Sequence, residues 1–214
     1  MVKLDTSFQV LFTQSIKQFG EIASLDAAHS LKTLVFSEQQ QYVVFVDNTL
    51  TIQDTKKELS DYGVAYATNV GYSNQTNRFW VFDGDNAQLL LIDESGNQIS
   101  RINNLTSIVG VAQPDALYER DNELLLFYKG VGVFVFDYYG TMISSYSNVM
   151  AEAVHFNQHF FYFVQGNRFM RVDRRTDQVQ EFELPEARII NIRVHQNDIY
   201  IEYQEGIKKY SLIH

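Results

Sequence analysis

Five histidines are the first residues to weigh for chemistry, and His155 and His159 stand closest together. They flank Phe156-Asn-Gln in what reads as an antiparallel hairpin. A zinc pair of the helical HExxH kind needs both rings on one helix face, so these two are expected to be ordinary turn residues. Asp83-Gly-Asp-Asn86 begins like a calcium loop, but it lacks the later glycine and the twelfth-position glutamate, and it joins two strands. The chain has no cysteine, which removes a thiol nucleophile, thiolate metal ligands and disulfides together. No Gly-x-Ser-x-Gly occurs, and Gly130-Val-Gly-Val lies in a strand hairpin rather than ahead of a helix. The expectation is no catalytic residue, no metal and no cofactor.

Acid/base work by paired carboxylates is the one catalytic arrangement left open, on Asp26, Asp61, Glu152 and Glu186. Such a pair would need a spacing of about 5–10 Å, and a carbohydrate-active hydrolase is the alternative function it would serve. Tyr138, Tyr139 and Tyr146 are candidates for an aromatic contact surface, because tyrosine offers a large rigid area at low entropy cost. Arg171, Arg174 and Arg175 read as a solvated turn. With 17 basic and 26 acidic residues, the formal charge of −9 disfavours nonspecific nucleic-acid or anionic-membrane binding. No run of about 18 apolar residues provides a membrane-spanning helix. A protein partner is expected; a sugar is possible, although loops of unequal length count against a lectin with repeated sites.

These residues must be positioned by the elements around them, and those elements repeat. Tyr42-VVFVDNTLTIQDTKKELS, Phe79-WVFDGDNAQLLLIDESGNQIS, Leu124-LLFYKGVGVFVFDYYGTMIS, Phe160-FYFVQGNRFMRVDRRTDQVQEF and Ile199-YIEYQEGIKKYSLIH each give strand, tight turn, strand and a second turn. Asp54, Asp93, Asp137, Asp173 and Ser211 mark the end of the second strand, at spacings of 39, 44, 36 and 38. That is the length of a propeller blade. A further apolar segment precedes each meander, at Leu31–Phe36, Val64–Val70, Ser107–Val111, Ala151–Phe156 and Ile189–Val194, and is read as the innermost strand.

Strands such as YVVFV, FWVF, LLLF and FFYFV are apolar on both parities, so both faces need cover. Parallel α/β packing would need crossover helices, for which the gaps are too short. Only Gln14–His29, with Ile16, Phe19, Ile22 and Leu25 at helical spacing, admits a helix. The fold expected is an all-β, five-bladed β-propeller of four-stranded antiparallel meanders in a single domain spanning 1–214. Its blades fall at about 31–60, 64–102, 107–146, 151–183 and 189–213. The last blade is one strand short, and the amino-terminal stretch 8–15 is expected to close the ring by pairing there. Loops 61–63, 103–106, 147–150 and 185–188 would form the binding face.

Leu31-KTLVFSEQQQYVVFVDNTL, Arg78-FWVFDGDNAQLLLIDESGNQIS and the order of the later meanders resemble an uncharacterised family of exported propeller-like proteins of Bacteroidetes. The resemblance covers most of residues 8–213 and carries no catalytic signature. It implies export to the periplasm or cell envelope, through a signal peptide that Met1-Val-Lys-Leu-Asp-Thr does not show, with the cytoplasm as the alternative. It also implies a further meander upstream. A non-enzymatic binding or scaffold module follows as the expected function.

Overall fold

The computed structural model describes residues 1–15, 20–27, 31–53, 56–110, 113–147, 149–157, 159–185 and 188–212. An amino-terminal hairpin comes first, β1 (Val2–Leu4) with β2 (Val10–Thr13). Five sheets follow in chain order. The first holds β3 (Ser24–Asp26), β4 (Lys32–Ser37), β5 (Tyr42–Asp47) and β6 (Lys57–Glu58). The second holds β7 (Ala67–Tyr72), β8 (Arg78–Asp83), β9 (Gln88–Asp93) and β10 (Gln98–Ile102). β11 (Ala116–Arg120), β12 (Glu123–Tyr128), β13 (Gly132–Phe136) and β14 (Met142–Ser147) make the third. The fourth is β15 (Ala153–Phe156), β16 (Phe160–Gln165), β17 (Arg168–Asp173) and β18 (Val179–Glu183). β19 (Ile189–His195), β20 (Asp198–Tyr203) and β21 (Gly206–Ser211) make the fifth. In every sheet each strand lies beside its sequence neighbour. This is the expected all-β, five-bladed architecture.

Strands apolar on both parities form the middle of the first three sheets, and β16 is such a strand in the fourth, because only there are both faces covered. Phe79, Trp80, Val81 and Phe82 on β8 are all fully buried, as are Leu89, Leu90 and Ile92 on β9. Burial of each such side chain contributes about 1.5–3 kcal/mol. The fifth sheet differs. Ile192, Val194, Ile199 and Ile201 face a core, whereas Ile190, Arg193, His195 and Glu202 are exposed, so this sheet has one wet face. The alternation in Asn191-Ile-Arg-Val-His195 is the sequence sign of it.

The chain forms two compact units, Met1–Leu124 with Phe136–Thr141, and Leu125–Val135 with Met142–His214. In the first, Leu34, Phe36, Val43 and Phe45 of the first sheet pack on Tyr72, Phe79, Val81, Leu90 and Ile92 of the second. β3, β7 and β11 come close at Gly71, where a Cβ would stand 3.2 Å from the Leu117 carbonyl oxygen and 3.7 Å from Asp26 Oδ2. In the second unit, Tyr162, Val164 and Phe169 of the fourth sheet pack on Ile192, Ile199, Ile201 and Tyr203 of the fifth.

Three placements differ from expectation. Ser107–Val109 belongs to a short helix, α1 (Leu105–Val109), bracketed by Asn104 and Gly110 in the left-handed region; the first strand of the third sheet is Ala116–Arg120. Residues 111 and 112 lie outside the described residues. Leu31–Phe36 is the second strand of its sheet, because Ser24–Asp26, inside the stretch that admitted a helix, is the first. A three-residue strand with two polar members leaves no periodic signal. Finally, Val10–Thr13 pairs with Val2–Leu4 and not with the fifth sheet, which has three strands among the described residues. A local hairpin closes over a shorter loop than a pairing with the far end of the chain, at lower entropic cost.

The frame shift in the first sheet also moves the marker aspartate from Asp54, outside the described residues, to Asp47. Asp47 Oδ1 accepts the amides of Thr49 at 2.8 Å and Thr51 at 2.9 Å. Asp93 does the same with Ser95 and Asn97, and Asp137 with Tyr139 and Thr141. Asp173 takes Arg175 and Thr176. The repeat therefore runs Asp47, Asp93, Asp137, Asp173, each carboxylate holding the turn into the next strand.

At Asp47, Asp93 and Asp173 these bonds favour the ionised form. The Thr49 hydroxyl and the Thr51 amide hold Asp47 below the usual carboxylate range. The Asn97 side chain does so for Asp93, and the Arg175 and Thr176 amides do so for Asp173. A folded-state value below the unfolded one means that the stabilisation is present above the unfolded value, about 3.9, and fades as pH falls through the folded values. The melting temperature is expected to be flat above about pH 5 and to fall steadily below about pH 4. Asp93→Asn and Asp173→Asn should each make the fall shallower, and an unchanged slope in both would refute the assignment.

Candidate functional site

Of the three candidate tyrosines, two sit in the turn Asp137–Gly140 and point opposite ways. Tyr139 is 92% exposed, and its amide is tied to Asp137 Oδ1 at 2.9 Å. Tyr138 is drawn inward. Its ring stacks on Trp80 with centroids 6.2 Å apart and planes at 22°, and its hydroxyl donates to Glu119 Oε1.

Glu119 is the centre of this arrangement and is 1% exposed. Oε2 accepts the Trp80 indole N–H at 2.6 Å, while Oε1 accepts the Asn74 amide at 2.8 Å beside the Tyr138 hydroxyl. Three donors thus converge on one buried carboxylate from β8, the loop ahead of it and the turn after β13. A buried carboxylate is costly unless its lone pairs are filled, and here indole, amide and phenol fill them. Burial, then the bond to Glu119, pushes the Tyr138 phenol up to about 12, so it stays protonated and donating. The chemical capacity of the site is therefore positional: it locks the turn that displays Tyr139.

The remaining candidates are dispersed. Tyr146 belongs to the second unit, where its ring lies 5.2 Å from that of Phe161. Asp61 is exposed in a 3-10 turn, Leu59–Tyr62. Glu152 is half-buried and accepts the Gly166 amide at 3.4 Å. Glu186 lies outside the described residues, as do position 148 of loop 147–150 and position 187 of loop 185–188. Of loop 103–106, Asn104 caps α1 and residues 105–106 are its first two. Asp26 is engaged by the Tyr72 amide at 2.8 Å and stands 3.9 Å from Arg120.

Asp83, at the start of the calcium-like tetrapeptide, is fully buried and accepts from Ala65, Tyr66, Asn86 and Gln88. Its oxygens are spent on the polypeptide. Burial raises its value, but the bonds from Asn86, Ala65 and Gln88 outweigh that and leave it low. His155 and His159 lie against Tyr162 and Phe160, at ring separations of 6.1 and 6.4 Å. No group of three His, Cys, Asp or Glu among the described residues could hold a metal ion.

Trp80, Glu119 and Asn74 escape a motif-based reading. Two signals stand in the sequence: the only tryptophan of the chain, and a glutamate in phase with Leu117 in Ala116-Leu-Tyr-Glu119. The second is a signal only when the strand is Ala116–Arg120 and not Ser107–Val111.

Fold and site together define a β-propeller whose differentiated surface is a braced aromatic turn. In sequence, no family model matches the chain and no curated protein does. Among solved structures it is similar to virginiamycin B lyase of Staphylococcus aureus, with a TM-score of 0.59 and 11% identity over 97% of this chain and 75% of that one. It is similar also to Hsv2 of Kluyveromyces lactis, with a TM-score of 0.63 and 13% identity over 89% of this chain. The chain spans less than two thirds of that structure, 59%. PorZ of Porphyromonas gingivalis matches with a TM-score of 0.57 and 13% identity, over 90% of this chain and 25% of PorZ. At such identities the likeness is one of fold.

Proposed function

We propose that this protein is a non-enzymatic binding or scaffold propeller that engages a protein partner in a bacterial cell envelope. One observation carries the reading: Tyr139 is almost wholly exposed on a turn whose other tyrosine is locked between Trp80 and Glu119. A large aromatic held in one place loses little entropy on binding, which is the condition for an interface anchor. The fold likeness supports the envelope setting to this extent, that PorZ is described as a bacterial surface component of the type-IX secretion system. The partner-facing surface is assigned to turn 137–140, at the opposite end of β14 from loop 147–150.

The test replaces Tyr139 with a photo-crosslinking phenylalanine analogue and irradiates the chain in bacterial envelope extract. A single protein adduct is expected, competed away by the unmodified chain. Tyr139→Ala should compete at least about 30-fold less well, the loss of an anchor worth ~2 kcal/mol. Its melting temperature should match that of the parent, since the side chain is exposed. Equal competition by Tyr139→Ala, or no competed adduct, overturns the proposal.

A further inference from the structure

Arg171, Arg174 and Arg175, close in sequence, part company in the fold. Arg171 stands on β17, while Arg174 and Arg175 belong to the turn that follows it. The arginine at the other end of the strand, Arg168, pairs with Glu181 at 3.3 Å. Arg171 bonds to an amide instead. Its Nε donates to the side-chain oxygen of Gln180 at 2.9 Å, Nη2 donates to the same oxygen, and its Cζ lies 4.8 Å from the centroid of the Phe160 ring. No carboxylate pairs with it among the described residues, in a chain where 26 acidic residues outnumber 17 basic ones.

These contacts hold the guanidinium from two directions and leave a defined part of it open. Its flat face lies on Phe160, and Gln180 takes the edge formed by Nε and Nη2. The other edge, formed by Nη1 and Nη2, offers two parallel N–H groups with no acceptor among the described residues. Tyr162 stands directly across the ladder, in the row His155, Tyr162, Arg171, Gln180, so both side chains share one face of the sheet. The Tyr162 hydroxyl is buried and accepts the Asn157 side-chain amide at 3.2 Å, and its own hydrogen has no acceptor among the described residues. An immobilised fork with a second donor beside it, both with hydrogens to give, suits a carboxylate.

We propose that Arg171 and Tyr162 receive a glutamate or aspartate side chain of a partner protein. One open edge matches the two oxygens of one carboxylate and neutralises its single charge. A phosphate dianion would stay half paired, next to a turn that already carries Asp173 and Asp177. A sugar acid would seek a free aromatic face, and the Phe160 ring is enclosed by the guanidinium and by the Tyr162 and His159 rings, at 5.9 and 6.4 Å. The formal charge of −9 does not oppose an acidic segment here. Leu125–Val135 and Met142–His214, which make up the second unit, hold nine basic and nine acidic residues, so the excess of acid belongs to the first. The inference rests on the reading that this chain engages a protein, and on none of the residues of turn 137–140.

Nitrogen-15 resonances of the arginine side chains read the site, with a capped tetraglutamate peptide as probe and tetraglutamine as blank, at constant ionic strength. The Arg171 Nε signal, identified by its loss in Arg171→Lys, should shift saturably with the first peptide and not with the second. Binding followed on the backbone amides of β17 should weaken by about tenfold or more in Arg171→Lys, which keeps the charge and gives up the fork, and by about threefold in Tyr162→Phe. Arg175→Gln removes a whole charge from the exposed turn and should change binding by less than about twofold. Amide spectra of the variants should overlay the parent's away from β16 and β17. Four results overturn the proposal: no saturable shift with tetraglutamate; an equal loss in Arg175→Gln and Arg171→Lys, the mark of bulk charge attraction; unchanged binding in Tyr162→Phe; and tighter binding of inorganic phosphate or glucuronate than of the peptide. A missing Tyr139 adduct with this binding intact would sink the first reading alone, and the reverse would sink this one alone.

Discussion

Glu119→Ala is expected to lower the stability of the protein by about 3–5 kcal/mol, the sum for three buried donors left without an acceptor less the relief of emptying a buried polar site. The substitution leaves the Trp80 indole N–H, the Asn74 amide and the Tyr138 hydroxyl without their acceptor, and it opens a cavity in the place of the carboxylate. An unmet buried donor costs ~1–3 kcal/mol, so three of them outweigh any relief from removing a buried charge. For a chain of this size the melting temperature should drop by roughly 6–20 °C. Glu119→Gln keeps an oxygen for one donor but turns an NH2 toward another, and about half the loss is expected to remain. Trp80 is the sole tryptophan, so its emission reads the site without interference. A red shift should accompany Glu119→Ala. A loss under ~1 kcal/mol with unchanged emission would mean that the carboxylate does not hold the turn.

The second large effect falls at Gly132, at the start of β13. Its φ is +150°, and a Cβ there would run into the Tyr146 carbonyl oxygen, with Ser147 Cα a further 3.1 Å contact. These are backbone atoms of β14, so no side chain can swing aside, and the strands themselves must part. Gly132→Ala is expected to cost about 3 kcal/mol or more, combining overpacking with backbone strain. Gly130 supplies the control two residues earlier, with φ +74° and nothing within 4 Å of a Cβ. Gly130→Ala should cost only about 1–2 kcal/mol, the penalty of a left-handed alanine. Urea midpoints of the two variants decide the matter. Equal losses would mean that the close approach to Tyr146 is not what requires glycine.

The turns held by Asp47, Asp93 and Asp173 and the braced turn share one device. Asp47, Asp93, Asp137 and Asp173 each accept amides two and three or four residues on, and the residues that follow build the next strand from a fixed start. Asp137 does one thing more, because the turn it holds presents Tyr138 inward and Tyr139 outward. The same local chemistry thereby fixes turns in the first, second and fourth sheets and, in the third, holds Tyr139 exposed.

Residue order alone settled the all-β class, the blade-length repeat and most strands, since apolarity on both parities and turn chemistry are local properties. Asp93, Asp137 and Asp173 were legible as turn residues, whereas Ile189–Val194 reads as one more apolar strand and the wet face of the fifth sheet is a finding of the structure. Tertiary structure decided the rest. Whether Ser24–Asp26 is a strand depends on its pairing with Leu34–Phe36, not on its own composition. Glu119 meets Trp80 across 39 residues of chain, a separation no periodicity records. The partner of Val10–Thr13 was a contest between two edges that the same apolar run could satisfy. Hydrophobic alternation says which face of a segment must be hidden; it does not say against what, because that is settled only when several sheets compete for the same buried area.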